Sequence, residues 1–154
     1  MYKRLIFTIL LLLLSLFSAA CSSTAAKQEN LPNGDTLETT ASINNIPQML
    51  TKTDAGIVKV YKLALQHQDT LKQIPVYDGS QYTSILQAFL YKINSDGSIV
   101  WNSHGSTSGK AIAVATDVIT MSEAGKPIAE IQQTIEKKHG GEYGADSPKR
   151  NYKP

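Results

Sequence analysis

One cysteine in 154 residues, Cys21, limits what can hold this chain together. No disulfide can close within it and no cage of thiolates can bind a metal, so the fold must rest on an apolar core and on hydrogen bonds. The setting of that cysteine is equally informative. It follows Lys3 and Arg4, an apolar run from Leu5 to Phe17, and the small residues Ser18, Ala19 and Ala20. The run is shorter than the about 20 residues a spanning helix needs. A charged front, a short apolar stretch and small residues before a cleavage point describe an export signal covering residues 1–20.

Ser18-Ala19-Ala20-Cys21 resembles the bacterial lipobox, with Ser18 standing where Leu is commonest. A thiol is the side chain readily alkylated by a diacylglyceryl group, so Cys21 is the expected lipidation site. Palmitate-type chains there would anchor the protein, each buried CH₂ contributing about 0.8 kcal/mol. The expectation is a lipoprotein on the extracytoplasmic face of a cell membrane. Lys3 and Arg4 leave with the signal, and the remainder carries 13 basic and 13 acidic residues. Such a balance offers no basic face for nucleic acid.

Residues 21–45 are rich in Ser, Thr, Asn and Ala and poor in large apolar side chains, which predicts a lipidated cysteine followed by a flexible tether. A globular domain is expected over 46–141 and a disordered tail over 142–154. Asp54 can cap a helix running to about Leu71, with Ile57, Val60, Tyr61, Ala64 and Leu71 on one face. Residues 82–88 suit a short helix. Residues 89–93 and 98–101 read as strands around the hairpin turn Asn94-Ser95-Asp96-Gly97. Lys110 to Ala124 forms a second long helix, closed by Gly125, and a last helix follows Pro127 up to Gly140. The expected class is α+β: a small, mainly helical domain of about four helices with one β-hairpin.

This order of elements, with Ile-Pro-x-Tyr-x-Gly after the first helix, the hairpin Asp96-Gly-Ser-Ile-Val-Trp101 and then His104-Gly105, resembles the PCYCGC-motif lipoproteins of Gram-positive bacteria. The likeness runs from about Ile46 to Tyr143. In that family the first loop reads Pro-Cys-Tyr-Cys-Gly-Cys; here it reads Pro75-Val76-Tyr77-Asp78-Gly79-Ser80. The family loop after the hairpin is like His-Gly-x-x-Cys-Gly-x-Cys, and here Ser108 and Ala111 replace its cysteines. A further family cysteine aligns with Ala88. The resemblance implies the family fold, and a cluster of soft thiolates suited to copper(I), zinc or iron–sulfur. Val, Ala and Ser cannot replace those ligands, so the resemblance implies a divergent member whose cysteine site is lost, with no metal and no cofactor expected.

Asp78, His104 and Tyr77 are the candidates for ligand binding. His104 lies in a glycine-flanked loop, and a His–Asp pair can bind a metal or exchange protons; a loop histidine bonded to backbone is the plainer reading. His67 falls on the apolar face of the first long helix, as a packed histidine. His139 falls at the end of the last helix, where a cation favours the helix dipole. Ser80, Ser106 and Ser108 form no hydrolase elbow. Gly105 to Gly109 precedes a helix but lacks a phosphate-loop pattern. Trp101 on a strand reads as core.

The expected function is therefore non-enzymatic: a membrane-anchored binding or accessory module of the cell envelope, whose partner is an envelope protein or a small ligand. One alternative keeps a residual ligand or metal role around Asp78 and His104. Another is an exclusion or immunity lipoprotein of a mobile element.

Overall fold

The computed structural model describes residues 26–142. Cys21, the expected export signal and residues 143–154 of the expected tail lie outside the described residues. Two hairpins join into one antiparallel sheet. β1 (Lys27–Asn30) pairs with β2 (Thr36–Thr40), and β3 (Leu90–Ile93) pairs with β4 (Ile99–Asn102). β2 and β4 lie side by side, Leu37 opposite Asn102 and Thr40 opposite Ile99, which gives the order β1-β2-β4-β3.

The first hairpin corrects the expected tether. Residues 27–40 are part of the sheet, and β2 is one of its two central strands. Leu31 to Asp35 makes the turn: Gly34 N–H donates to Leu31, Leu31 N–H donates to Asp35, and Gly34 adopts φ +88°, a conformation that favours glycine. The polar composition of β2 does not keep it out of the core. Glu38 is 1 % exposed. Its carboxylate accepts hydrogen bonds from the backbone N–H of Gln48 and Met49 and from Gln28 Nε2. Those bonds offset the desolvation of the charge and pin the 3-10 turn Gln48–Leu50 onto the sheet. Thr40 is buried as well, and its Oγ1 accepts a bond from Trp101 Nε1 at 2.7 Å.

The helices follow the expected apolar spacing, with one break. α1 (Ala55–Gln66) starts at Asp54, whose side chain accepts the Gly56 N–H at 2.7 Å. The expected helix to Leu71 is interrupted at His67, which has φ −105° and ψ 24°, and resumes as the single turn α2 (Gln68–Leu71). His67 is held there by Ser122 Oγ, 3.2 Å from its Nδ1, and lies near Glu123. α3 (Ile85–Phe89) runs directly into β3. After β4 come α4 (His104–Thr107), α5 (Gly109–Glu123) and α6 (Ile128–His139), with a last 3-10 turn Gly140–Glu142. The class is α+β as expected, but the described residues form six helices and four strands where about four helices and one hairpin were anticipated.

One apolar core lies between the sheet and the helices. Tyr61, Phe89, Leu90 and Trp101 meet Val114, Val118, Ile131 and Ile135 there, all nearly fully buried. Burying such a side chain contributes about 1.5–3 kcal/mol. Tyr61 stands edge-on to Phe89 with ring centroids 5.0 Å apart, and its hydroxyl donates to the Asn102 carbonyl. Among the described residues no helix is long and apolar enough to cross a membrane.

Candidate functional site

Three segments bring their polar side chains together around the first residue of α4. The turn of the first hairpin supplies Asp35. The loop after α2 supplies Asp78. The start of α4 supplies His104. Each is positioned locally before it meets the others. The Asp35 N–H donates to the side-chain oxygen of Asn33, whose amide donates in turn to the Asp35 carboxylate at 2.8 Å. Asp78 Oδ1 accepts the Ser80 N–H at 3.1 Å, two residues on. The His104 N–H is bound by Asn102 Oδ1 at 3.0 Å. Gly105 keeps the turn close to the core: a Cβ at that position would stand 2.4 Å from the Phe89 ring.

His104 is gripped from both sides. Its Nε2 lies 2.7 Å from Asp78 Oδ2, and its Nδ1 lies 3.1 Å from Asp35 Oδ2. All three side chains are largely shielded from water. A neutral imidazole has a single N–H, so one nitrogen would direct a lone pair at a carboxylate. Both bonds are satisfied only by the imidazolium. Burial works to lower the His104 pKa, but Asp78 and then Asp35 overcome it and hold it above the usual 6.5. Burial likewise pushes Asp78 up, while bonds from His104, Ser108 and Ser80 outweigh it and hold its carboxyl well below the ordinary range.

An outer layer completes the network. Ser108 Oγ donates to Asp78 Oδ2 at 2.7 Å and accepts the Ala111 N–H at 3.1 Å, so one hydroxyl both ties down Asp78 and caps α5. Tyr82 donates its hydroxyl to Asp35 Oδ2 at 2.5 Å and sets its ring edge-on to His104, 5.0 Å between centroids. Burial and the neighbouring Asp35 carboxylate raise the Tyr82 pKa. The chemistry of this arrangement is that of a closed ion cluster. The two carboxylates occupy opposite nitrogens of one ring, so they do not converge on a shared point, and the Ser108 hydroxyl is directed at Asp78 and not at His104.

A family model described as "Protein of unknown function with PCYCGC motif" matches residues 10–151. The chain belongs to this family. No curated protein and no solved structure matches it. In the segment Pro75-Val76-Tyr77-Asp78-Gly79-Ser80, Asp78 and Ser80 belong to the His104 cluster, with Ser108 beside them. Val76 packs against the apolar core, in which Ala88 and Ala111 are fully buried.

Of the residues expected at the site, Asp78 and His104 are in contact. Tyr77 is not part of that cluster: its phenol is buried beside Glu136 of α6, and burial followed by that carboxylate raises its pKa. Cys21 lies outside the described residues. Asp35, Asn33 and Tyr82 were not anticipated. The signal for Asp35 was Asn33-Gly34, a hairpin-turn pair, followed by the alternating stretch Thr36 to Thr40. His139 also departs from expectation. It is 6 % exposed and packs into the α5–α6 contact, its Nε2 lying 2.6 Å from Asp117 Oδ2, rather than simply capping a helix end.

Proposed function

We propose that this PCYCGC-family protein is a lipid-anchored accessory or binding protein of the cell envelope, without catalytic chemistry of its own, in which the cysteine cluster has given way to a closed polar network. The anchor rests on the apolar run and Ser18-Ala19-Ala20-Cys21. The loss of the metal role rests on one observation: both nitrogens of His104 are already bonded, to Asp78 and to Asp35. A soft metal would have to break a buried ion pair to reach either nitrogen, and would find no thiolate beside it among the described residues.

Two experiments test this reading. Cys21→Ala should shift the protein from the membrane fraction to the medium or leave the precursor unprocessed; unchanged processing and detergent partitioning would remove the anchor. Titration of the Cys21→Ala chain with copper(I) and zinc should give no stoichiometric sub-micromolar binding. Tight binding that is lost on His104→Ala would replace the lost-site reading with a ligand role for Asp78 and His104.

A further inference from the structure

A second feature of the fold shares no residue with the His104 network. Between the loop that follows β2 and one side of α1 lies a cleft of about 330 Å³, within the range of small-molecule sites. Its floor is apolar: Leu50, Tyr61 and Trp101. Val58 and Leu65 of α1 form one wall, and Ile43, Ile46 and Pro47 form the other. Ile43 is 54 % exposed and Ile46 is 44 % exposed, half of the large apolar side chains most open to water among the described residues.

These two isoleucines are held in the open. Asn45 N–H donates to the Ser42 carbonyl, Ser42 Oγ donates to Asn45 Oδ1 at 2.7 Å, and Thr40 Oγ1 donates to the Ser42 carbonyl at 3.1 Å. These bonds brace the loop that presents the two isoleucines, and their exposed apolar surface costs hydration free energy that a ligand would recover. Among the described residues that line the cleft, the charge has one sign: Lys62 is the sole ionisable group besides the Tyr61 phenol of the floor, which is bonded to Asn102. Lys62 is exposed and makes no ion pair with another described residue. It sits one helical turn from Val58 and from Gln66, which also line the cleft, so a long stem there can cover the apolar wall while the ammonium stays in water.

We infer that this cleft binds a small amphiphile with an extended apolar body and an anionic head, of the long-chain carboxylate class. The tail lies between Ile46 and Leu65, and the head pairs with Lys62. This site stands or falls separately from the anchor and from the metal reading.

Trp101 is the only tryptophan of the chain and lies on the cleft floor, so its fluorescence reports occupancy. The full chain in phosphatidylcholine nanodiscs is titrated with an ω-brominated undecanoate and with the matching bromo-alcohol. Saturable quenching by the carboxylate is expected, with weaker binding of the neutral alcohol. Lys62→Glu should weaken carboxylate binding by about fivefold or more, and Lys62→Arg should retain it. Val58→Phe, which fills the cleft, should reduce the quenching. Lys62 is exposed, so its variants probe the site without disturbing the core. No saturable quenching, equal affinity in Lys62→Glu, or equal affinity for the alcohol would overturn the proposal. So would equal quenching by nanodiscs of brominated phosphatidylcholine alone, which would make the bilayer itself the occupant.

Discussion

His104 and Asp35 are 69 residues apart in the chain and 3.1 Å apart in the fold. That contact, with Asp78 on the opposite nitrogen, fastens the first hairpin to the start of α4 and to the loop that carries Asp78. Removing the imidazolium leaves two shielded carboxylates facing a cavity without a counter-charge. His104→Ala should therefore lower the unfolding free energy by about 3–5 kcal/mol. Asp35→Asn should cost less, because an amide oxygen still accepts from Nδ1–H. Urea unfolding of the three proteins measures both differences, and a His104→Ala loss no larger than that of Asp35→Asn would contradict the clamp.

The same cluster sets a pH dependence. His104 has a raised pKa in the folded state, so its contribution is complete below its unfolded value near 6.5 and fades as pH rises through the folded value. Asp78 has a lowered pKa, so its contribution is complete above its unfolded value near 3.8 and fades as pH falls through the folded value. The network thus stabilises most between those two unfolded values, in mildly acidic solution. The difference in unfolding free energy between wild type and His104→Ala, followed from pH 4 to 9 in about one-unit steps, should be largest at the acidic end of that range and shrink above neutrality. A difference that grows with alkali would show that His104 is neutral when folded.

Much of the helical half was legible in the sequence, because Ile57, Val60, Ala64, Val114, Val118 and Ile131 repeat at helical spacing and bury together. The second hairpin was legible from Asp96-Gly97. The first hairpin was not, since a strand built as Thr-Leu-Glu-Thr-Thr carries little apolar signal. Its burial depends on partners distant in sequence: Gln48 and Met49 for Glu38, Trp101 for Thr40, and His104 and Tyr82 for Asp35. His139 escaped for the same reason, its setting being fixed by Asp117 on another helix.

The hairpin's integration has its own measurable consequence. Limited proteolysis of the folded protein should spare residues 27–40, and a cut anywhere in Thr36–Thr40 should require global unfolding. Glu38→Ala would strand the backbone N–H groups of Gln48 and Met49 and should destabilise by about 2–4 kcal/mol. Glu38→Gln, which keeps an acceptor oxygen, should recover part of that loss. Early cleavage within 36–40 in an otherwise folded chain would mean that β2 is not structurally coupled to the core.

Gly105 explains why a His-Gly pair suits this position. A Cβ there would lie 2.4 Å from Cδ1 and 2.6 Å from Cε1 of Phe89. Phe89 is fully buried and stacked edge-on against Tyr61, so it has nowhere to retreat. Gly105→Ala must then displace the start of α4, at a cost of about 1–3 kcal/mol for an overpacked core. His104 is the preceding residue, and its bonds to Asp78 and Asp35 tolerate little movement of that backbone. The variant should therefore lose stability and also flatten the pH dependence that His104 confers. Gly109→Ala is the matched control: no heavy atom lies within 4 Å of its added Cβ, and it opens α5, where alanine is the better helix former. It should be neutral or stabilising by up to about 1 kcal/mol, with the pH profile unchanged. Thermal unfolding of both variants across the acidic and neutral range separates the two cases. Equal behaviour of Gly105→Ala and Gly109→Ala would show that Phe89 yields, and that contact with it is not what places His104 between its carboxylates.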